Sequence, residues 1–144
     1  MPPHHTERDR RAARALAGAF VSVETFSRVV LGRPLRRYQL APARAIVDSV
    51  RRGRGLTFAV MMARQAGKNE TAAHVEAYLL NRRRARGGQI VKAAPTFTPQ
   101  IVTSMMRLTA VLEGSLLPPP ARERGYILRV GRASVDLTVH RYAG

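Results

Sequence analysis

The apolar positions of the chain follow two spacings that predict alternating helices and strands. Apolar side chains recur every three or four positions, as in amphipathic helices, in residues 8–19, 23–30, 39–52, 68–83 and 100–113. Continuous apolar runs at residues 56–62 and 90–94 predict two buried strands. Because strands alternate with helices, we expect the two strands to pair in parallel within a three-layer α/β core. Residues 126–130 and 134–142 predict a hairpin around Gly131-Arg132.

Composition limits the chain to one domain with a strong attraction for polyanions. Its 144 residues are 45% hydrophobic, which is typical of a globular protein. The 25 basic and 9 acidic residues give a net charge of +16, which favours nucleic-acid partners. All but two of the basic residues are arginine, and GC-rich coding is an alternative source of that bias. The arginines of residues 82–86 are candidates for DNA contact. Alternatively, they neutralise the dipole at a helix C-terminus and keep the protein in solution.

Other residue types exclude several classes of chemistry. The absence of cysteine excludes disulfides and thiol chemistry and suits a cytoplasmic protein. The longest apolar run is far shorter than the roughly 20 residues of a membrane span, so we expect no membrane partner. The histidines show no metal-ligand spacing, and His74 is expected on a helix surface; they are His4, His5, His74 and His140.

The most informative segment is LTFAVMMARQAGKNE, residues 56–70. An apolar run gives way to a short polar loop with Gly67-Lys68, and a helix follows. A phosphate-binding loop needs these parts: a strand to hold it, small residues that expose backbone N–H groups, a lysine, and a helix N-terminus. Met62 replaces the first glycine of the consensus, and Asn69 replaces the hydroxyl that would bind Mg²⁺. A chance Gly-Lys pair at a strand-to-helix turn is the alternative.

Three motifs together resemble one family. ARQAGKN, residues 63–69, resembles the variant phosphate-binding loop of phage terminase large subunits, the ATPases that pump DNA into procapsids. Tyr38-Gln39 resembles the pair that opens a helix before this loop in that family. QIVKAAPTFTPQI, residues 89–101, resembles the second core strand and the Ala-Pro-Thr loop that terminases share with helicase-like ATPases. The motifs occur in the family's order and cover residues 23–144.

The resemblance implies a fold, cofactors and site residues. It implies an incomplete P-loop NTPase core of terminase or helicase type at residues 35–144, after a basic helical segment at residues 1–34. ATP and Mg²⁺ would be the cofactors. Lys68 would contact the β/γ-phosphates, Arg64 would reach the γ-phosphate, and the amide of Gln39 would read the adenine edge. The expected nucleotide-binding residues are Tyr38, Gln39, Gln65, Ala66, Gly67, Lys68, Asn69 and Glu70.

The sequence lacks parts that a complete terminase needs. No apolar run ends in the adjacent Asp-Glu pair that binds metal and activates water, and no cluster of carboxylates predicts a nuclease. Asp136 lies in an alternating run, which predicts a solvent-facing strand position. We therefore expect the front part of an ATPase, located in the cytoplasm of a bacterial host and not hydrolytically competent alone.

The resemblance also implies partners, and other functions remain open. The implied partners are double-stranded DNA, the remaining terminase sequence, the small terminase subunit and the portal protein. The alternatives are a basic, non-catalytic nucleic-acid-binding protein and a fragment of a helicase-like ATPase. Thr96 and Gln100, in and after the Ala-Pro-Thr loop, are candidates for DNA contact or loop support, or for a plain helix cap.

Overall fold

Five helices and four strands make up the part of the chain that the structure describes. The structure is a computed structural model and describes residues 6–94, 97–123 and 127–139. The helices are α1 (Glu7–Ala19), α2 (Val23–Val29), α3 (Arg37–Arg51), α4 (Lys68–Arg82) and α5 (Val102–Glu113). The strands are β1 (Gly88–Ala94), β2 (Ala121–Glu123), β3 (Ile127–Val130) and β4 (Ala133–Val139). The five helices predicted from apolar spacing are therefore confirmed, with ends shifted by one or two residues.

Side-chain caps begin the first two helices. The hydroxyl of Thr6 accepts a 3.2 Å hydrogen bond from the backbone N–H of Asp9, and the Asp9 carboxylate accepts one of 2.9 Å from the Thr6 N–H. This reciprocal arrangement satisfies two donors that a helix start leaves unpaired. Ser22 caps α2 by accepting from the Thr25 N–H at 3.1 Å. No helix within the described residues combines the length and apolarity needed to cross a bilayer.

The four strands form one mixed sheet in the order β1-β4-β3-β2. β1 runs parallel to β4, with Ile90 opposite Val135, and the other neighbours are antiparallel. β3 and β4 form the predicted hairpin, and Gly131 has the positive φ of 60° that such a tight connection needs. The mixed α/β class and the hairpin are therefore confirmed over the described residues, while Tyr126 and residues 140–142 lie outside them.

One hydrophobic core joins the helices to the sheet. Its largest fully buried side chains include Phe26, Tyr78, Leu80 and Leu128. The rings of Phe26 and Tyr78 meet edge to face with centroids 5.4 Å apart, a favourable aromatic arrangement. Phe26 therefore packs against α4 although it precedes the predicted domain boundary at residues 34–35, and that boundary stays a prediction.

The prediction of a strand at residues 56–62, paired with residues 90–94, is wrong. These residues have no regular secondary structure and no strand partner, and Met61 is 96% exposed. β1 pairs with β4 instead, and an apolar groove of about 630 Å³ lies between α3, α4 and β1. A continuous apolar run shows that a segment suits a sheet interior, but it does not specify which strand edge it joins.

Helices do not cover both faces of β1 in the described part of the chain. Ile90 and Lys92 on one face are half-buried, whereas Gln89, Val91 and Ala93 on the other are exposed. Val91 is 59% exposed, which is unusual for a strand between two helical layers. The expected second helical layer is therefore not observed at this strand.

Candidate functional site

The loop at residues 63–67 enters α4 through two left-handed residues. Gln65 has φ 61° and Gly67 has φ 79°, and a turn forms where the Ala66 N–H donates to the Ala63 carbonyl at 3.1 Å. Gly67 is the residue before the first turn of α4, and no side chain caps that turn. The first N–H groups of α4 thus lie at a helix N-terminus that favours an anion.

The start of α3 holds this loop in place. The Tyr38 hydroxyl donates a 2.9 Å hydrogen bond to the carbonyl of Ala66, and the Gln39 amide donates one of 3.2 Å to the carbonyl of Gly67. Sequence reasoning placed Tyr38 and Gln39 near the nucleotide, but it did not identify them as supports for the loop. A strand was expected to supply that support, and two helix side chains supply it instead.

Gln39 uses both ends of its amide in this arrangement. Its side chain is buried, its Nε2 donates to Gly67, and its Oε1 accepts a 2.9 Å hydrogen bond from the Arg36 N–H. A nucleotide base would have to reach a buried amide that already supports the loop. Tyr38 differs, because it remains 47% exposed while its hydroxyl binds the loop. Its ring is therefore accessible beside the loop.

The first residues of α4, directly after the loop, border a polar cleft of about 520 Å³. Lys68 and Asn69 line one side of this cleft, and Lys92 of β1 lines another. Lys68 and Lys92 are the only two lysines in the sequence, and the fold brings both to the same cleft. The remaining polar side chains of the lining belong to the start of α5 and the turn before it: Gln100, Thr103 and Ser104. Arg64 and Gln65 are exposed and do not line the cleft.

Lys92, which lines this cleft, also forms an ion pair with Glu76. Its ammonium lies 2.7 Å from the Glu76 carboxylate, and the two side chains are only 12% and 13% exposed. Burial raises the pKa of Glu76, while the charge of Lys92 and its hydrogen bond act in the opposite direction. Sequence reasoning missed this pair, because residues 16 apart on a helix and a strand give no sequence signal.

Glu70 follows the loop but faces other parts of the protein. Its carboxylate lies 3.6 Å from Arg33, 3.3 Å from Arg107 and 3.2 Å from His74. It therefore links α4 to α5 and to the segment after α2. This arrangement differs from the predicted contact with nucleotide, because three basic side chains already surround the carboxylate.

The expectation that His74 lies on a helix surface is wrong. Its side chain is 1% exposed, with Nδ1 2.8 Å from the Ser27 hydroxyl and Nε2 3.2 Å from Glu70. A carboxylate only accepts hydrogen bonds, so neutral His74 carries its proton on Nε2 and accepts from Ser27. Burial lowers the pKa of His74, with Glu70 opposing that shift and the charge of Arg33 adding to it.

The described residues around the loop fit phosphate better than Mg²⁺. The Thr71 hydroxyl donates to the Gly67 carbonyl at 2.9 Å and is buried, and the Glu70 carboxylate is held by basic groups. Asn69 offers a neutral amide, a weaker ligand for a hard cation than a carboxylate. Within the described part of the chain, no three acidic, histidine or cysteine side chains converge as a metal site.

Several predicted positions lie outside the described residues: Thr96, His4, His5 and His140. Asp136 lies in β4, and its backbone is described. Comparisons with protein-family models, curated proteins and solved structures gave no match.

Proposed function

We propose that the chain binds the phosphates of a nucleoside triphosphate at the loop of residues 63–68. One observation carries this proposal: Gly67 and Lys68 form an uncapped helix start, and Tyr38 and Gln39 hold the preceding carbonyls. Two motifs that are 28 residues apart in the sequence thus meet at one site. If the Gly-Lys pair occurred by chance, hydrogen bonds from Tyr38 and Gln39 to the loop would not be expected.

The groups at the start of α4 and on the loop before it suggest how phosphates would be held. Backbone N–H groups at the start of α4 would donate to phosphate oxygens, and the exposed ammonium of Lys68 would add a charge-assisted hydrogen bond. Arg64 is exposed on the same loop and long enough to approach a terminal phosphate. The Tyr38 ring offers an aromatic surface next to the loop, whereas Gln39 supports the loop itself.

The terminase resemblance makes ATP the expected nucleotide and a DNA-packaging ATPase the proposed context. Mg²⁺, when bound to ATP in such enzymes, neutralises phosphate charge, but the side chains around Asn69 do not offer the ligands for it. We therefore propose phosphate binding by this chain without hydrolysis. The P-loop NTPase core, the DNA partner, the small terminase subunit and the portal protein belong to the same proposal.

Calorimetry with ATP tests the nucleotide site. Lys68→Ala removes one charge-assisted contact, which is worth about 1.5–3 kcal/mol, so affinity should fall roughly 10- to 150-fold. Arg10→Ala is the matched control, because it removes one exposed cation from α1 and should leave affinity within about twofold. Equal affinity of the Lys68 variant and the unchanged protein would end the proposal.

Phosphate release by the isolated chain tests the second half of the proposal. We expect no ATP turnover above background, because Glu70 is occupied by basic groups and cannot orient water for attack. Lys68→Ala serves as the contamination control. Turnover that depends on Lys68 would contradict the non-hydrolytic assignment while supporting nucleotide binding.

A further inference from the structure

Four arginines line a third concavity, at the other end of α4. Arg51 ends α3, Arg82 and Arg83 lie at the end of α4, and Arg86 follows in the next turn. Together with Val50 and Leu79 they line a concavity of about 460 Å³, here named the arginine cleft. A 15-residue helix rises about 1.5 Å per residue, which places the arginine cleft about 20 Å from Lys68.

The arginine cleft has no acidic counterpart in the described part of the chain. None of its four arginines forms an ion pair there, and the nearby acid Asp48 binds Arg52 at 2.7 Å and Arg54 at 3.6 Å instead. Four guanidinium groups around one concavity repel one another and gain stability when an anion enters. The charges at this end of the protein therefore favour the binding of an anion.

Neutralisation of helix dipoles explains only part of this arrangement. Cations near helix C-termini are favourable, and α3 and α4 both end here. That effect acts within the last turn and requires no concavity, yet Arg86 lies beyond the end of α4 and still lines the cleft. The dipole accounts for arginine at these positions, but not for their meeting around a shared cavity.

Two of the arginines are held in place and two are available. Arg82 donates to the Phe20 carbonyl at 3.2 Å, and Arg51 donates to the Val21 carbonyl at 3.4 Å. Both bonds attach the cleft to the connection between α1 and α2. The side chains of Arg83 and Arg86 make no hydrogen bond within the described residues and are exposed. The planar fork of each can face a phosphate.

We propose that the arginine cleft binds consecutive phosphates of a nucleic-acid backbone. A single small phosphate accepts about two bidentate arginine forks, which would leave the other charges of the cleft unpaired. A backbone brings several phosphates at a regular spacing, and the net charge of +16 attracts it over a long range. The site contains no base-reading geometry, so the expected binding has little sequence preference. This inference rests on the DNA partner of the proposed function and assigns its binding site, but it does not depend on nucleotide binding at Lys68.

Salt titration of duplex DNA binding tests the arginine cleft. We would measure the anisotropy of a labelled 24-base-pair duplex with the full chain, without nucleotide, across a series of KCl concentrations. Arg83→Gln with Arg86→Gln removes the two arginines of the cleft whose side chains make no hydrogen bond within the described residues. The slope of log K against log salt should fall by about 1.8, since each lost phosphate contact changes it by about 0.9. Affinity near 100 mM KCl should fall at least tenfold.

Matched variants separate a defined site from general charge. Arg8→Gln with Arg11→Gln removes the same charge from exposed positions on α1 and should leave the slope unchanged. Arg83→Lys with Arg86→Lys keeps the charge and should retain most of the slope, and thermal unfolding of the glutamine pair checks that it folds. Equal losses from the α1 and cleft pairs, or a loss from the α1 pair alone, would overturn the proposal.

The proposal would also fail if the arginine cleft binds free small anions and not a nucleic-acid backbone. Thermal unfolding of the protein in inorganic phosphate, at constant ionic strength, tests this alternative. If phosphate stabilises the protein only when Arg83 and Arg86 are present, while the DNA slope is the same in both proteins, the cleft binds free phosphate and the nucleic-acid assignment fails. No phosphate stabilisation, together with the expected change in slope, supports it.

Discussion

The side-chain amide of Gln39 donates a 3.2 Å hydrogen bond to the carbonyl oxygen of Gly67, 28 residues further along the chain. A side chain at position 67 would place its Cβ 2.6 Å from that same nitrogen. The bond, the left-handed backbone of Gly67 and the start of α4 therefore form one unit. Any phosphate bound at Lys68 depends on this unit for its geometry.

Gly67→Ala should destabilise the protein. The substituted residue would have to keep φ near 79°, which costs about 1–2 kcal/mol for a residue with a Cβ, and Gln39 would have to move away. We expect the free energy of unfolding in urea to fall by about 2 kcal/mol. ATP affinity should fall with it.

Gly18→Ala is the matched control for this substitution. Gly18 lies in α1 with ordinary helical backbone and no atom within 4 Å of an added Cβ. Alanine there should raise stability by about 0.5–1 kcal/mol. Equal effects of the two alanine variants would show that Gly67 is not constrained as described.

The buried pair of Lys92 and Glu76 should depend strongly on both partners. Lys92→Met leaves a largely buried carboxylate without a cation, and such losses cost about 3 kcal/mol. Changing both residues, with Glu76→Leu added, should recover most of that stability because no unpaired charge remains. Urea denaturation of the two single variants and the double variant measures the coupling.

The pH dependence of the Lys92→Met variant follows from the Glu76 pKa. Burial raises that pKa above its usual 4.5, so the folded state retains a proton that the unfolded chain has released. Stability is therefore greater below pH 4.5 and declines as pH rises through the folded pKa. The loss of unfolding free energy that Lys92→Met causes, relative to the unchanged protein, should therefore be smaller at pH 4.5 than at pH 7. If the loss of unfolding free energy were the same at both pH values, Glu76 would not titrate as described.

The helices could be predicted from the sequence because their signals are local. The spacing of Ala43 and Val47 identified α3, and Gly67-Lys68 marked the start of α4. Sheet pairing could not be predicted in the same way, since it joins segments far apart. Ile90 pairs with Val135, and no pattern within either strand specifies that choice.

The same limit applies to the candidate site. The position of Gly67 and Lys68 at a helix start could be predicted, since a local motif carries them. Two features arise only after the elements pack together. They are the supporting hydrogen bonds from Tyr38 and Gln39, and the position of Lys68 and Lys92 in one cleft. The burial of His74 was missed for a similar reason. Its ring nitrogens form hydrogen bonds with Ser27 on α2 and with Glu70 on α4, and the first of these requires the two helices to pack.

Substitutions in residues 56–62 distinguish an exposed irregular segment from a buried strand. Met61 is 96% exposed, so Met61→Ser should change the free energy of unfolding by less than about 0.5 kcal/mol. Leu80, at 1% exposure, is the buried reference, and Leu80→Ala should cost about 2–5 kcal/mol. A large loss from Met61→Ser would indicate that this segment packs inside the protein after all.

His74 should make stability depend on pH just below neutrality. Burial holds its folded pKa below 6.5, opposed by Glu70 and assisted by the charge of Arg33. As pH falls through 6.5 the unfolded chain gains a proton that the folded protein does not, so stability decreases toward acid. One such group contributes at most about 1.4 kcal/mol per pH unit.

His74→Gln removes this contribution, while the other titrations cancel when the two proteins are compared. Urea midpoints between pH 8 and pH 5 should therefore show the stability difference between unchanged protein and variant shrinking as pH falls. A difference that grows toward acid would mean that His74 is protonated in the folded state, with Glu70 dominating over burial.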